Sequence, residues 1–331
     1  MPEDYRVRAY NARQDLEQMY CLTEVAYAED YRRIDRDPRA GMARERRVVA
    51  ALSGLGRIFP ALRDVTSGFV REEEGRIVCF VHFARVGLAG DRWSIETVMT
   101  DPGCRRRGYA RELIGLAVDE IRRRGGRHVS LKVRADNEPA IRLYRSLGFA
   151  PVDATVQLKR SAAPSAVPVD WNKYRARRAT VADWYGSWEA RFVLGQRETP
   201  EPVKEGLPVT AHAYRRPALV RVLAPIFVRM SGRHLERWLI ERSGKLVATL
   251  SIDGDPTGER THEIALHVDP AHEAALAARL VACALDSLSR LPPLPILAET
   301  RPSNRAILDA LRAHDFEAIN TWHTLGLPLA G

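Results

Sequence analysis

With 331 residues, 45% hydrophobic and 28% charged, the chain has room for two globular domains of about 160 residues each and lacks the bias of a disordered or fibrous protein. No run approaches the roughly 18 uninterrupted apolar residues of a membrane helix, and the opening MPEDYRVRAY has no apolar signal-peptide core, so a cytoplasmic protein off the membrane is expected. The net charge of +9 sits mainly in the first half, +7 in residues 1–160 against +2 in residues 161–331; its basic runs are short and not interleaved with aromatics, so no nucleic-acid partner is expected. Cys21, Cys79, Cys104 and Cys283 form no CxxC pair, which points away from disulfides and a metal site and towards reduced thiols.

In chain order, FVREEEGRIVCFVHF around Gly75 predicts two strands joined by a tight turn, and Ser94 to Thr100 predicts a further strand. The stretch Arg105-Arg106-Arg107-Gly108-Tyr109-Ala110 then opens a helix whose Ala110, Leu113, Ile114, Ala117, Val118 and Ile121 share one face. A strand, a loop and a helix start make an anion site, because unpaired backbone N–H groups and the helix dipole point at the ligand. Gly108 lets the backbone come close, and the small Ala110 keeps the first turn clear. After Gly125-Gly126, HVSLKV predicts a strand, and DNEPAIRLYRSLGF a short helix closing at Gly148.

Residues 161–170, SAAPSAVPVD, read as a linker, after which the plan repeats. YRVRAYNARQDLEQMY from Tyr5 returns as YRARRATVADWYGSWE from Tyr174, and the hairpin around Gly75 returns around Gly244. MTDPGCRRRGYARELI returns as HVDPAHEAALAARLV, and DNEPAIRLYRSLGF as SNRAILDALRAHDF. The offset stays between 167 and 169, the sign of a duplicated domain. The expected division is 1–160 and 171–331 about the linker.

R-x-x-G-x-A on a strand-to-helix turn, followed by N-x-x-A-x-x-L-Y-x-x-L-G-F from Asn137, resembles the GCN5-related N-acetyltransferase (GNAT) superfamily, in plan over residues 1–160 and specifically over 94–149. The resemblance implies an α/β chain of two tandem acyl-CoA N-acyltransferase folds, each a mixed, mainly antiparallel sheet with a splayed central pair and flanking helices. It implies transfer of acetyl from acetyl-CoA to a primary amine of a small molecule, peptide or protein by direct attack in a ternary complex, with no metal, in a monomer or homodimer. Arg105, Arg106, Arg107, Gly108, Tyr109 and Ala110 fall where the family cradles the CoA pyrophosphate. Val98 and Thr100 fall on the strand that pairs with the pantetheine arm, and Asn137 where a side-chain amide contacts it. Tyr144 takes the place of the general acid.

For the base, many members carry a Glu where this chain has Ser94. Glu96 is the candidate here: strict alternation puts it on the face of Ser94, Val98 and Thr100, with His82 on the neighbouring strand in reserve. An acyl-Cys route through Cys104 lacks a His partner in sequence. An acyl-CoA-binding regulatory or scaffold protein without turnover is the alternative, and the retained Tyr144 argues against it.

In the second half Arg105 becomes Glu273, Gly108 becomes Leu276, Tyr144 becomes Leu311 and Gly148 becomes Asp315, while the apolar helix stripes survive. A carboxylate and a bulky side chain at the phosphate position predict a retained fold without CoA binding. The tandem plan is also similar to that of mycothiol synthases, in which the C-terminal copy is expected to be the intact one.

Overall fold

The computed structural model describes residues 5–34, 37, 67–86, 90–161 and 168–329. They form two compact units: one holds the described residues of Met1–Arg33, Asp37–Val152 and Thr324–Gly331, the other those of Ile34–Arg36 and Asp153–His323.

In the first unit, β1 (Tyr5–Ala9), β2 (Ser67–Glu73), β3 (Arg76–Arg85) and β4 (Arg92–Thr100) pair antiparallel in that order, and β5 (His128–Arg134) runs parallel to β4. Among the described residues four helices accompany them: α1 (Ala12–Ala26), α2 (Ala28–Arg33), α3 (Tyr109–Arg123) and α4 (Glu138–Ser146). The predicted stripe of α3 is buried through Leu113, Ile114, Ala117 and Ile121 against Val81, Phe83, Trp93 and Ile95. Val70, Phe80 and Met99 face the other way and pack with Met19 and Leu22 of α1. Helix α4 starts at Glu138, with Pro139 in its first turn, behind the cap Asn137 and ends where the Phe149 N–H reaches back to the Tyr144 carbonyl.

The second unit repeats this order. β7 (Arg175–Arg178), β8 (His234–Arg242), β9 (Lys245–Gly254) and β10 (His262–Val268) are antiparallel, and β11 (Ile296–Thr300) is parallel to β10. Its helices are α5 (Val181–Gly186), α6 (Trp188–Glu198), α7 (Glu201–Gly206), α8 (Ala218–Ser231), α9 (Glu273–Leu288) and α10 (Arg305–Ala313). The stripe of α9 (Ala277, Leu280, Val281, Ala284, Leu285 and Leu288) is buried in this unit's core with Ile307 and Leu311 of α10.

The duplication reaches the backbone. Glu74 and Gly75 turn the β2–β3 hairpin at φ 49° and 75°, and Ser243 and Gly244 turn β8–β9 at 50° and 74°, the doubly left-handed geometry that a two-residue hairpin needs. Both hairpins carry a bulge at the same place, Arg71/Glu72 in one and Ile240/Glu241 in the other.

The boundary expected at residue 160 is displaced by strand pairing. β6 (Ala150–Arg160) enters the second unit at Asp153 and pairs through Val156–Arg160 with Thr300–Ile296 of β11. In return, the end of β12 (Glu317–Pro328) counts with the first unit from Thr324 onward. There Leu325 and Leu329 are buried, and the Leu329 N–H donates to the Arg127 carbonyl. A strand is held by its ladder and its buried side chains, so hydrogen bonding decides membership here and sequence order does not.

Candidate active site

Between β3 and β4 the register is broken at one residue. Phe83 lies opposite Ile95 and His82 opposite Thr97, which leaves Glu96 without a partner on β3. This bulge reverses the alternation: Trp93 and Ile95 face α3, and after the extra residue Val98 faces α3 while Met99 faces α1. The expectation that Glu96 shares a face with Ser94, Val98 and Thr100 is therefore corrected, because strict alternation ends at residue 95. Glu96 instead meets His82, with 3.4 Å between its Oε2 and the ring Nδ1. The two candidate bases are thus neighbours. The Glu96 side chain is 52% exposed and that of His82 19%, so the pair lies at the surface of the sheet and can exchange protons with what binds there.

The same residue marks where β4 leaves β5. Their parallel register runs from Arg92↔His128 to Ile95↔Leu131; β4 continues to Thr100 and β5 to Arg134 without further pairing. The backbone of residues 96–100 therefore has one strand partner where 92–95 have two, and among the described residues no strand pairs with its second edge, the kind of edge to which an extended ligand can add. Val98 and Thr100 lie on this length. The Val98 carbonyl accepts a hydrogen bond of 3.2 Å from the hydroxyl of Tyr27, a residue between α1 and α2 that no sequence motif singled out. Burial first, and then Tyr144, push the Tyr27 phenol well above its usual range.

Tyr144, on α4, is buried, and its ring meets Phe149 edge-on at 6.1 Å. Burial, and then the thiol of Cys79, raise its phenol to about 12, so it holds its proton throughout the physiological range. Cys79 in turn lies 3.3 Å from the Thr100 hydroxyl.

The loop between β4 and α3 is built for an anion. A 3-10 turn at Pro102–Cys104, capped by Asp101, leads into Arg105, and the chain then uses left-handed backbone at Arg106 (φ 64°) and Gly108 (φ 85°) before α3 begins. No side chain caps α3, so its first N–H groups have no protein acceptor from a cap. Apart from its two chain neighbours, no described residue comes within 4 Å of where a Gly108 β-carbon would stand. The three arginines are exposed, whereas Tyr109 is turned inward: Arg71 of β2 stacks 3.9 Å over its ring and reaches Glu112 Oε2 at 2.7 Å. Arg71 thereby fixes the first turn of α3. Arg107 is 3.6 Å from Glu73, Cys104 packs beside the α3 core, and Ala110 is partly buried there too. Asn137 spends its side-chain oxygen on the Ala140 N–H at 3.3 Å, which makes it the cap of α4.

The second unit keeps an uncapped helix start at the matching place but differs in the strand and the loop before it. Across the β9–β10 ladder, Ile252 lies opposite Ile264 and Ser251 opposite Ala265, with no bulge and strict buried–exposed alternation. Hence the offset between the copies is 169 at Ile95 and Ile264 but 168 at Thr97 and Ala265, and the residue lost in that step is Glu96. The 3-10 turn Pro270–His272 runs directly into α9, which begins at Glu273, so helix replaces the open loop. The Glu273 carboxylate accepts from the N–H groups of Ala306 and Ile307, at 3.0 and 3.3 Å, and caps α10. Leu276, at the place of Gly108, is fully buried.

Among the described residues no group of three or more His, Cys, Asp or Glu side chains is placed to hold a metal ion, and no helix is long and apolar enough to cross a membrane. A sequence profile of the Acetyltransferase (GNAT) family matches residues 18–149. The chain is 37% identical over 101 residues to a mycothiol acetyltransferase of Saccharomonospora viridis, covering 28% of this chain and 33% of that protein. It is 39% identical over 67 residues to the ribosomal protein bS18-alanine N-acetyltransferase of Escherichia coli K12, covering 20% and 45%. The matches thus span less than half the length of these relatives. Among solved structures, a tandem GNAT protein from the clavulanic acid biosynthesis pathway superposes with a TM-score of 0.65 over 99% of both chains at 14% identity. A GCN5-related N-acetyltransferase from Sphaerobacter thermophilus gives 0.67 over 99% of this chain and 96% of that one at 15% identity. At such identities the likeness is one of fold.

Proposed function

We propose that the chain, whose residues 18–149 match the Acetyltransferase (GNAT) family, is an acetyltransferase of that family and transfers the acetyl group of acetyl-CoA to a primary amine of a small molecule, peptide or protein by direct attack in a ternary complex. The observation that carries this reading is the bulge at Glu96, where the second edge of β4 opens a few residues before the uncapped start of α3. The backbone of Arg105 to Ala110 binds the pyrophosphate through its N–H groups, and Arg105, Arg106 and Arg107 add positive charge. Residues Val98 to Thr100 take the pantetheine arm along their open edge.

The amine must be neutral to attack. Glu96, backed by His82, accepts its proton; the nitrogen adds to the thioester carbon; the C–S bond breaks as the C–N bond forms; and Tyr144 protonates the departing thiolate. A phenol held at about 12 is fully protonated when the thiolate leaves, as a general acid must be. The experiment is to offer the full-length chain acetyl-CoA with a panel of polyamines, amino sugars and peptides with free N-termini, reading free thiol and acetylated product. Thiol release that depends on one amine class and matches the product supports the reading. CoA binding without turnover on any class would support the regulatory alternative.

A further inference from the structure

The second unit lacks the phosphate loop, yet it holds two arginines that no carboxylate among the described residues pairs with. Arg191 of α6 and Arg237 of β8 place their guanidinium carbons 4.3 and 4.7 Å over the indole of Trp184 of α5. Arg237 donates from Nη1 to the Ser251 hydroxyl at 2.9 Å. Arg191 meets no carboxylate among the described residues, and its Nε is buried without an acceptor. The carboxylates around them are already engaged: Glu198 by His267 at 2.8 Å, Asp183 by Thr180 and Arg177, and Asp253 by Arg233. Burial first, and then the charges of Arg237 and Arg216, bring Arg191 down to about 10.

Two like charges held together, partly buried and with no carboxylate among the described residues in an ion pair with either, raise the energy of the unit; Asp253, whose charge reaches Arg237, is held by Arg233. Stacking on one indole offsets only part of that cost. A guanidinium lying over a ring leaves its in-plane N–H edge free, and that edge matches the paired oxygens of a carboxylate or phosphate. Tyr185 and Tyr214, close enough to Arg191 to act on its charge, supply hydroxyl groups beside it.

We propose that Arg191 and Arg237, stacked on Trp184, form a binding site in the second unit for a small molecule carrying a phosphate or carboxylate group. The site is separate from the proposed pyrophosphate loop and does not depend on it. It gives the degenerate copy a ligand of its own.

The test is a titration of the full-length chain with inorganic phosphate and, separately, with benzoate, read by tryptophan fluorescence and by melting temperature against sodium chloride of equal ionic strength. A saturable response to phosphate points to a phosphate-bearing ligand, and one to benzoate to a carboxylate. In either case the apparent affinity falls at least ten-fold in Arg191→Met and in Arg237→Met and is kept in Gly108→Glu. Without ligand, Arg191→Met melts above the unmodified chain, because an uncompensated charge has been removed. No saturable response to either probe, a response that survives both arginine variants, or an Arg191→Met protein that melts lower would each overturn the proposal.

Discussion

Glu96 has no partner on β3, and its carboxylate lies 3.4 Å from the imidazole of His82, the residue opposite its neighbour Thr97. In the proposed mechanism Glu96 and His82 stand on one proton path. Glu96→Gln is expected to lower turnover by about a hundred-fold, the lower end for a positioned base, with the deficit shrinking as pH rises and more acceptor amine is already neutral. The double variant with His82→Ala should be no slower than the slower single. PH–rate profiles of the three proteins check this, and additive losses or a flat deficit would separate the two residues.

Tyr144→Phe should keep acetyl-CoA affinity and lose about ten- to a thousand-fold in turnover, the scale of a missing general acid. Folding raises the phenol from the ordinary value of about 10 to about 12, so it favours the protonated form. That part of the stability is complete below about pH 10 and is lost as pH rises through about 12. Alkaline melting of the unmodified chain should therefore fall more steeply over this window than that of Tyr144→Phe.

Tyr27 donates to the Val98 carbonyl at 3.2 Å, on the strand edge assigned to the pantetheine arm. If that edge must be vacated for binding, Tyr27→Phe tightens CoA binding by about two- to ten-fold, the worth of one neutral hydrogen bond. Calorimetric affinities decide it; weaker binding would give Tyr27 a supporting role in the complex.

Glu273 caps α10 through two N–H groups, so Glu273→Ala should cost about 0.5–2 kcal/mol of stability, as the loss of a helix cap does. Chemical denaturation measures the loss. CoA stoichiometry should not change, because α9 still fills the place of the loop.

Much of this was legible in the chain. The stripe from Leu113 to Ile121, the tight turns at Gly75 and Gly244 and the short helix before Gly148 are set by local periodicity and turn chemistry, and each appears where its residues put it. Glu96 was found by residue type, but its direction was not, because alternation carries no sign of an inserted residue; only the step in copy offset from 169 to 168 recorded it. Tyr27 carried no signal, since its role rests on contact with a strand some seventy residues away. The strands at Asp153–Arg160 and Thr324–Pro328 were assigned by order along the chain, whereas their partners decide where they belong.

The most direct test of the account is calorimetric titration of the full-length chain with CoA. One site per chain is expected, because the open loop from Arg105 to Ala110 is replaced in the second unit by helix from Glu273, with Leu276 buried at the place of Gly108; Gly108→Glu should abolish the site by setting bulk and a like charge against the pyrophosphate. Two sites per chain, or undiminished binding by Gly108→Glu, would contradict it.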